Sequence, residues 1–248
     1  MNKSVILATL SVAFAATWLM PTPLLAQVAA PSPAQDEGAS AEPEYKPPAR
    51  GAPGGRVGGA SRGTVKVTAP LPTIQLIAPD RDAGQTTSPA PILYYYVSRP
   101  IAWPTKFTIS APLRPEPVIE VNIPAPQQAG VYAIRTADYH LQLQPGVVYT
   151  WSVSAILNAK APSRDIVASA SLLRTAPDPS LESALRGAPS NRRAAVFAQA
   201  GFWYDAVAAA AEMEAFDRHA ALDALMNEVG LVEPASYDRQ TVDARRSR

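Results

Sequence analysis

Two alternating apolar runs that meet at a turn constrain this chain more than any other feature. Residues 141–157 read LQLQPGVVYTWSVSAIL, with a Pro-Gly dipeptide between the runs. The second run places Tyr149, Trp151 and Val153 on one side and mainly small polar residues on the other. Alternation with a period of two, β-branched and aromatic residues and a Pro-Gly turn together predict a β-strand of a sandwich. We expect the side with the large rings to face the core.

Short runs of the same kind recur at fairly regular spacing over about a hundred residues, which is the pattern of an antiparallel sandwich. Helical patterns are missing between them, which argues against a parallel α/β sheet. We therefore expect a mainly β fold, with an immunoglobulin-like antiparallel β-sandwich over residues 64–176. The predicted strands cover residues 64–68, 73–78, 92–98, 106–111, 118–123, 131–135, 139–143, 147–157 and 166–174.

The period changes to that of helices after residue 176, which predicts a small helical unit over residues 177–231. Asp178 followed by Pro179 is a typical helix start. Gly230 is placed to end the last helix, with Leu231 folding back onto Met226. The predicted segments are helices over 180–186, 191–200 and 202–216, a fourth helix that begins at Asp217, and a flexible polar tail over 232–248.

The first 26 residues have the pattern of an export signal. Lys3 precedes an apolar run, and Leu24-Leu25-Ala26 offers a cleavage site with a small residue. We expect residues 1–26 to be a cleaved signal peptide, the alternative being an uncleaved membrane anchor, and the mature protein to be periplasmic or secreted. The chain has no cysteine, which excludes disulfides and a lipid-anchored cysteine.

Residues 27–63 are rich in Pro, Ala and Gly and predict a disordered linker. It ends in a basic stretch in which Arg50, Arg56 and Arg62 recur every six residues among glycines. Backbone amides and arginines of this kind can bind an anion such as a glycan carboxylate or a phosphate; the alternative is a flexible linker with solvated arginines. Ser61 lies in a G-x-S-x-G pattern, but no strand-turn-helix pattern surrounds it as a nucleophile requires.

Charge and composition argue against several activities. Of 22 Lys and Arg residues one lies in the signal peptide, which leaves 21 against 21 Asp and Glu, and a neutral protein is a poor nucleic-acid binder. The two histidines are far apart in sequence, and Asp80 with Asp82 is a weak calcium pattern. We therefore expect no enzyme activity, metal or cofactor, and no membrane span after signal cleavage.

Aromatic clusters are the remaining candidates for a binding surface. Trp103 and the tyrosines at 94–96 are interpreted either as core packing or as a sugar or peptide platform. Trp203 and Tyr204 follow a helix-breaking glycine, and their rings either dock the helices or point outward to anchor a partner.

Three motifs resemble the bacterial exported proteins grouped as domain of unknown function 928. They are the Arg-Gly stretch at residues 50–63, the Leu-Gln-Pro-Gly to Tyr-Thr-Trp run at 143–151, and Ala-Gly-Phe-Trp-Tyr-Asp-Ala at 200–206. That family has no established activity, so the resemblance implies an architecture and no chemistry. The helical part also resembles a degenerate tetratricopeptide-type hairpin, of which a single unit is visible.

The function expected from these features is that of a non-enzymatic envelope protein that binds another protein through Trp203 and Tyr204. The alternative is a glycan- or cell-wall-binding module that uses Arg50, Arg56 and Arg62 with the strand aromatics. The expected partners are an envelope protein and, in the alternative, a polysaccharide.

Overall fold

The computed structural model describes residues 42–48, 56–58 and 70–246. The predicted signal peptide, the predicted strand at 64–68 and most of the predicted linker lie outside these ranges. Within them, strands form a four-stranded sheet of order β1-β2-β4-β7 and a five-stranded sheet of order β3-β9-β8-β5-β6. The strands are β1 (Val57–Gly58), β2 (Ile74–Leu76), β3 (Gly84–Thr86), β4 (Ile92–Val97), β5 (Thr105–Ser110), β6 (Ile119–Ile123), β7 (Gly130–Arg135), β8 (Val148–Ala155) and β9 (Ile166–Arg174).

The run that most constrained the sequence forms β8, which lies in the middle of the five-stranded sheet between β5 and β9. Tyr149, Trp151 and Val153 are buried, while Val148 and Thr150 on the other face are exposed. The predicted strand and the predicted core face are therefore confirmed. Pairing is antiparallel throughout the two sheets except between β3 and β9, which run parallel.

Two predictions of strands and loops are wrong. Strand β3 lies between the predicted strands 73–78 and 92–98, where the sequence predicted no strand, and it is too short to show a period. Residues 139–143 do not form the predicted strand, because a 3-10 helix over Thr136–Tyr139 ends at His140 in the left-handed region, with φ of 55°. Strand β3 forms through its pairing with the distant strand β9.

The helices of the described part follow the strands in sequence, and both predicted helix ends are confirmed. The Asp178 carboxylate accepts a hydrogen bond from the Leu181 amide (2.8 Å). After the fourth helix the Leu231 amide donates to the Met226 carbonyl (2.7 Å), and Gly230 adopts φ of 72°. The helices are α1 (Pro179–Gly187), α2 (Arg193–Gln199), α3 (Trp203–Ala211), α4 (Ala215–Glu228) and α5 (Val232–Arg246). Helix α4 thus begins earlier than the predicted start at Asp217.

The predicted flexible tail, 232–248, is wrong over most of its length, since α5 spans it from Val232. Its polar sequence lacks a strong amphipathic signal, and contacts with distant residues position it. The Tyr237 hydroxyl donates to the Ala129 carbonyl (2.6 Å), and His219 Nδ1 lies 2.7 Å from an Asp238 carboxylate oxygen. These contacts join α5 to the start of β7 and to α4.

A single hydrophobic cluster runs through both sheets and the helices, from Ile74 and Trp151 to Trp203 and Leu225. The core therefore continues across the predicted boundary between a β domain and a separate helical unit, and the described residues 42–48, 56–58 and 70–246 belong to one compact unit. The expected antiparallel sheets followed by a C-terminal helical part are present, but helix is at least as abundant as strand, so the fold is mixed and not mainly β. In the described ranges no helix is both long enough and apolar enough to cross a membrane.

Two parts of the predicted linker are built into this core. Within residues 42–48, Pro43 and Tyr45 are buried. Further along, Val57 and Gly58 pair with Gln75 and Ile74 of β2. The expectation of disorder is wrong for these described parts, because each of them gains burial or hydrogen bonds that composition alone does not reveal.

Candidate functional site

Trp203 is fully buried at the start of α3. Its ring N–H donates to the carbonyl of Ile77, directly after β2, at 2.9 Å. Its ring meets the Tyr45 ring edge-on, with centroids 4.9 Å apart. The expectation that this ring anchors a partner is therefore corrected: Trp203 holds α3 against the four-stranded sheet.

Tyr204 is buried as well and connects α3 to the five-stranded sheet. Its hydroxyl donates to the Ser171 carbonyl of β9 (2.9 Å) and accepts from the indole N–H of Trp151 in β8 (2.8 Å). Burial raises the pKa of Tyr204, against the smaller opposing effect of the Trp151 hydrogen bond. Both ring positions expected to contact a partner are thus interior, and two of the three sequence motifs meet at this hydroxyl.

Asp205 completes the attachment of α3. Its carboxylate accepts hydrogen bonds from the Thr87 amide (2.8 Å) and from the Thr87 hydroxyl (2.9 Å), just after β3. Burial raises the pKa of Asp205, and these hydrogen bonds oppose the rise. Residues 203–205 therefore hold one helix against both sheets, and this part of the third motif has a structural role.

Arg56, the described arginine of the Arg-Gly stretch, is buried and not solvated. Its guanidinium donates to the carbonyls of Ala78 (2.9 Å) and Gly230 (3.3 Å), and its Nε lies 4.0 Å from an Asp80 oxygen. Burial lowers the pKa of Arg56, and Asp80 opposes the shift. The arginine thus ties β1 to the end of α4. Arg50, Arg62 and Ser61 lie outside the described residues.

Gly58 shows why this stretch contains glycine. A Cβ there would lie 2.5 Å from the carbonyl carbon of Val167 in β9. The backbone of β1 therefore approaches the backbone of the other sheet so closely that no side chain fits between them. The described part of the Arg-Gly motif, like the third motif, serves packing.

A cleft of about 550 Å³ opens beside Arg56, and we call it the charged cleft. Four separate parts of the chain form it: the segment 42–48, Arg56 just before β1, the loop after β2 and the end of α4. Its ionisable and aromatic lining consists of Tyr45, Arg56, Asp80, Arg81, Asp82 and Glu228. The sequence singled out Asp80 and Asp82 as a weak calcium pattern and did not single out Tyr45, Arg81 or Glu228.

The charged cleft has an acidic balance, because three carboxylates face two guanidinium groups and Arg56 is already bonded to protein carbonyls. Burial raises the pKa of Glu228; the hydrogen bond from the Tyr45 amide opposes this, and the nearby Glu44 adds to it. Asp80 and Arg81 are exposed, so their charges are available to a ligand. With one more carboxylate than guanidinium groups, the arrangement favours a cationic group over an anionic one.

A second, shallower depression of about 530 Å³ lies beside Trp103. The half-buried indole shares it with Ile101 and with the amide side chains of Asn122 and Gln127, and its lining carries no charge. The tyrosines at 94–96 do not join it in a platform, because Tyr95 and Tyr96 are buried. The described residues contain no group of three His, Cys, Asp or Glu side chains that could hold a metal ion.

Comparison with known proteins finds one family. A family model described as "Domain of Unknown Function (DUF928)" matches residues 57–238. No curated protein and no solved structure shows significant similarity to the chain. The matched range includes α2 to α4, the loop after β2 and the Trp151–Tyr204 contact, whereas residues 42–48 precede it.

Proposed function

Since the chain belongs to the DUF928 family, we propose that it is an exported, non-enzymatic protein-binding module of the bacterial envelope. Residues 1–26 would direct its export as a signal peptide. The two sheets would pack as an immunoglobulin-like sandwich and serve as a rigid scaffold; the core cluster that contains residues of both sheets supports this arrangement.

The contact surface we propose is the charged cleft, in place of the interior rings of Trp203 and Tyr204. The observation that carries this choice is the position of Asp80, Asp82 and Glu228 around a cleft in which Arg56 is already engaged. A Lys or Arg side chain of a partner protein would meet these carboxylates at the edge of the cleft. Such charge complementarity favours encounter and selects the partner.

The acidic balance also separates the protein partner from an acidic polysaccharide. An anionic glycan would meet three carboxylates, and the guanidinium of Arg56 donates to Ala78 and Gly230 instead of pointing free into the cleft. The alternative of glycan binding through Arg56 is therefore the weaker one.

A binding test uses the two acids of the loop after β2, Asp80 and Asp82. The mature chain and its Asp80→Asn/Asp82→Asn variant are crosslinked in intact cells and their bound proteins compared. We expect the variant to capture at least tenfold less of a specific partner protein. The wild-type complex should weaken as the salt concentration rises. Asp138→Asn/Glu182→Gln is the matched control, because it removes two exposed carboxylates elsewhere. Equal capture by all three proteins would contradict the assignment.

A neutral sugar at Trp103 is the second candidate function. The indole face beside the amides of Asn122 and Gln127 supports it, because pockets of this kind combine an apolar wall with a few placed polar groups. Retention on isolated cell-wall polysaccharide would then be insensitive to salt and be lost in Trp103→Ala. If Trp103→Ala is retained as well as the wild type, this candidate is wrong.

A further inference from the structure

Residues 42–48 lie on the helices as a bound peptide lies on a protein. The segment has no helix or strand of its own, and its side chains alternate between buried and exposed from Glu42 to Lys46. Pro43 and Tyr45 are the buried pair. An extended peptide that inserts alternate side chains is a general mode of recognition.

Three contacts hold the segment in place. The Tyr45 amide donates to the Glu228 carboxylate at the end of α4, and the Lys46 amide donates to the Ala198 carbonyl of α2 (3.1 Å). The Tyr45 ring, 8% exposed, lies against the edge of Trp203. We call the surface formed by α2, the start of α3 and the end of α4 the helical groove.

The helical groove is shaped by residues within the range that the family model matches. Gly201 has φ of 83°, and a Cβ there would lie 3.0 Å from the Lys46 carbonyl oxygen. Trp203 supplies the wall for the Tyr45 ring, and Glu228 accepts its amide. The groove residues are therefore part of the family region, while the segment that fills the groove lies before it.

The segment fits the groove incompletely. The Tyr45 hydroxyl is buried and has no hydrogen-bond partner among the residues that the structure describes. A buried polar group without a partner costs free energy that a phenylalanine would avoid. Burial, with a further contribution from Asp82, raises the pKa of Tyr45. An occupant with an unpaired hydroxyl can be displaced by a peptide that fits better.

We propose that the helical groove is a binding site for an extended peptide that carries one aromatic side chain between prolines, and that residues 42–48 occupy it as an intramolecular competitor. Residues 42–48 are close to β1 in the same chain, and an intramolecular competitor of this kind acts at an effective concentration of about millimolar. A peptide of another protein must therefore bind the groove tightly enough to compete with the segment at that effective concentration. This site shares Tyr45 and Glu228 with the charged cleft but does not use Asp80 or Asp82 as ligands.

The test uses a fluorescent synthetic peptide of residues 40–50 and the mature chain with Tyr45→Ala. Without its aromatic anchor the segment should leave the groove, and the variant should bind the peptide saturably. We expect the wild-type chain to bind at least tenfold more weakly, because its own segment competes. A peptide with phenylalanine at the tyrosine position should bind more tightly than the natural one, and a peptide with alanine there should not bind.

A second variant guards against loss of folding in Tyr45→Ala. Lys46→Pro removes the amide that donates to Ala198 and keeps the ring, so it should bind the peptide with an affinity between those of the wild type and Tyr45→Ala. Near-ultraviolet circular dichroism reports whether each variant is folded. A folded variant that binds no peptide, or wild-type binding equal to that of the variants, would overturn the proposal. Asp80→Asn/Asp82→Asn should bind the peptide as the wild type does, so the two proposals fail separately.

Discussion

Residues 203–205 and residues 42–48 both place aromatic rings in the same core, and they differ in how their polar atoms are satisfied. In the first, the Trp203 N–H, the Tyr204 hydroxyl and the Asp205 carboxylate each have identified partners on the sheets or their loops. In the second, the Tyr45 hydroxyl is buried without a partner among the described residues.

This difference separates structural from functional use of aromatic residues. The ring-rich motif at 203–205 looks like a contact surface in the sequence, but its complete hydrogen bonding assigns it to the fold. The segment at 42–48 looks like linker, but it fills a groove with an imperfect fit. Incomplete satisfaction, together with the acidic charged cleft beside it, is the basis on which we propose binding at this end of the molecule.

Truncating the satisfied rings should have the largest effect. Trp203→Ala and Tyr204→Ala each remove a fully buried ring and its hydrogen bonds, and each should lower the free energy of unfolding by about 3–5 kcal/mol. Urea titration followed by circular dichroism measures this. Val148→Ala, at an exposed strand position, is the control and should change the value by less than about 0.5 kcal/mol. If both ring variants lose less than about 1 kcal/mol in free energy of unfolding, the two rings are not the core residues described here.

A methyl group at Gly58 should come next. Gly58→Ala places a Cβ 2.5 Å from the Val167 backbone, where no flexible side chain can yield. We expect a loss of about 2 kcal/mol, as for overpacking of a core. Gly187→Ala meets nothing within 4 Å and serves as the control in the same thermal melts. Equal melting temperatures for the two variants would show that the sheets do not approach at β1.

Asp205 predicts a dependence on pH. Because burial raises its pKa in the folded state, the unfolded chain releases its proton at lower pH than the folded one. The contribution of Asp205 is thus fully present below its unfolded pKa, roughly 3.9, and falls as pH rises through its folded pKa. The free energy of unfolding of the wild type should therefore fall relative to that of Asp205→Asn as the pH rises. Urea titrations at several pH values measure it, and a pH-independent difference would contradict the burial effect.

Leu113 should give the smallest effect. It is fully exposed in the loop between β5 and β6 and has φ of 60°, a conformation that costs a leucine about 1 kcal/mol or more. Leu113→Gly removes that cost, while the greater entropy of the unfolded chain opposes the gain. We therefore expect the free energy of unfolding to rise by a net value of about 0.5 kcal/mol. Differential scanning calorimetry detects it, and a lower melting temperature would mean that the loop needs its leucine for folding.

The sequence was most informative where structure is local. The alternation in 147–157 predicted β8 and its buried face, and Asp178 and Gly230 predicted helix ends through their own capping geometry. Strand β3 and helix α5 were missed because distant contacts hold them, such as the Tyr237 hydrogen bond to Ala129.

The candidate sites were harder to predict than the fold. The charged cleft joins Tyr45, Asp80 and Glu228, which are far apart in sequence and share no motif. The one signal of the docked segment was a single tyrosine between prolines in a low-complexity stretch. For Trp203 and Tyr204 the sequence pattern allowed either buried rings that dock the helix or exposed rings. The hydrogen bonds of the two side chains to backbone carbonyls of Ile77 and Ser171 identify them as docking residues.

The same chemical change at the two tyrosines tests the account most directly. Tyr204→Phe and Tyr45→Phe each remove one buried hydroxyl, and urea titration of both variants measures the free energy of unfolding. Tyr204→Phe leaves the Trp151 N–H and the Ser171 carbonyl without this partner, so a loss of about 2 kcal/mol is expected. Tyr45→Phe removes an unpaired hydroxyl and should raise stability by about 1 kcal/mol. Effects of the same sign at both positions would contradict the distinction between the satisfied motif and the displaceable segment.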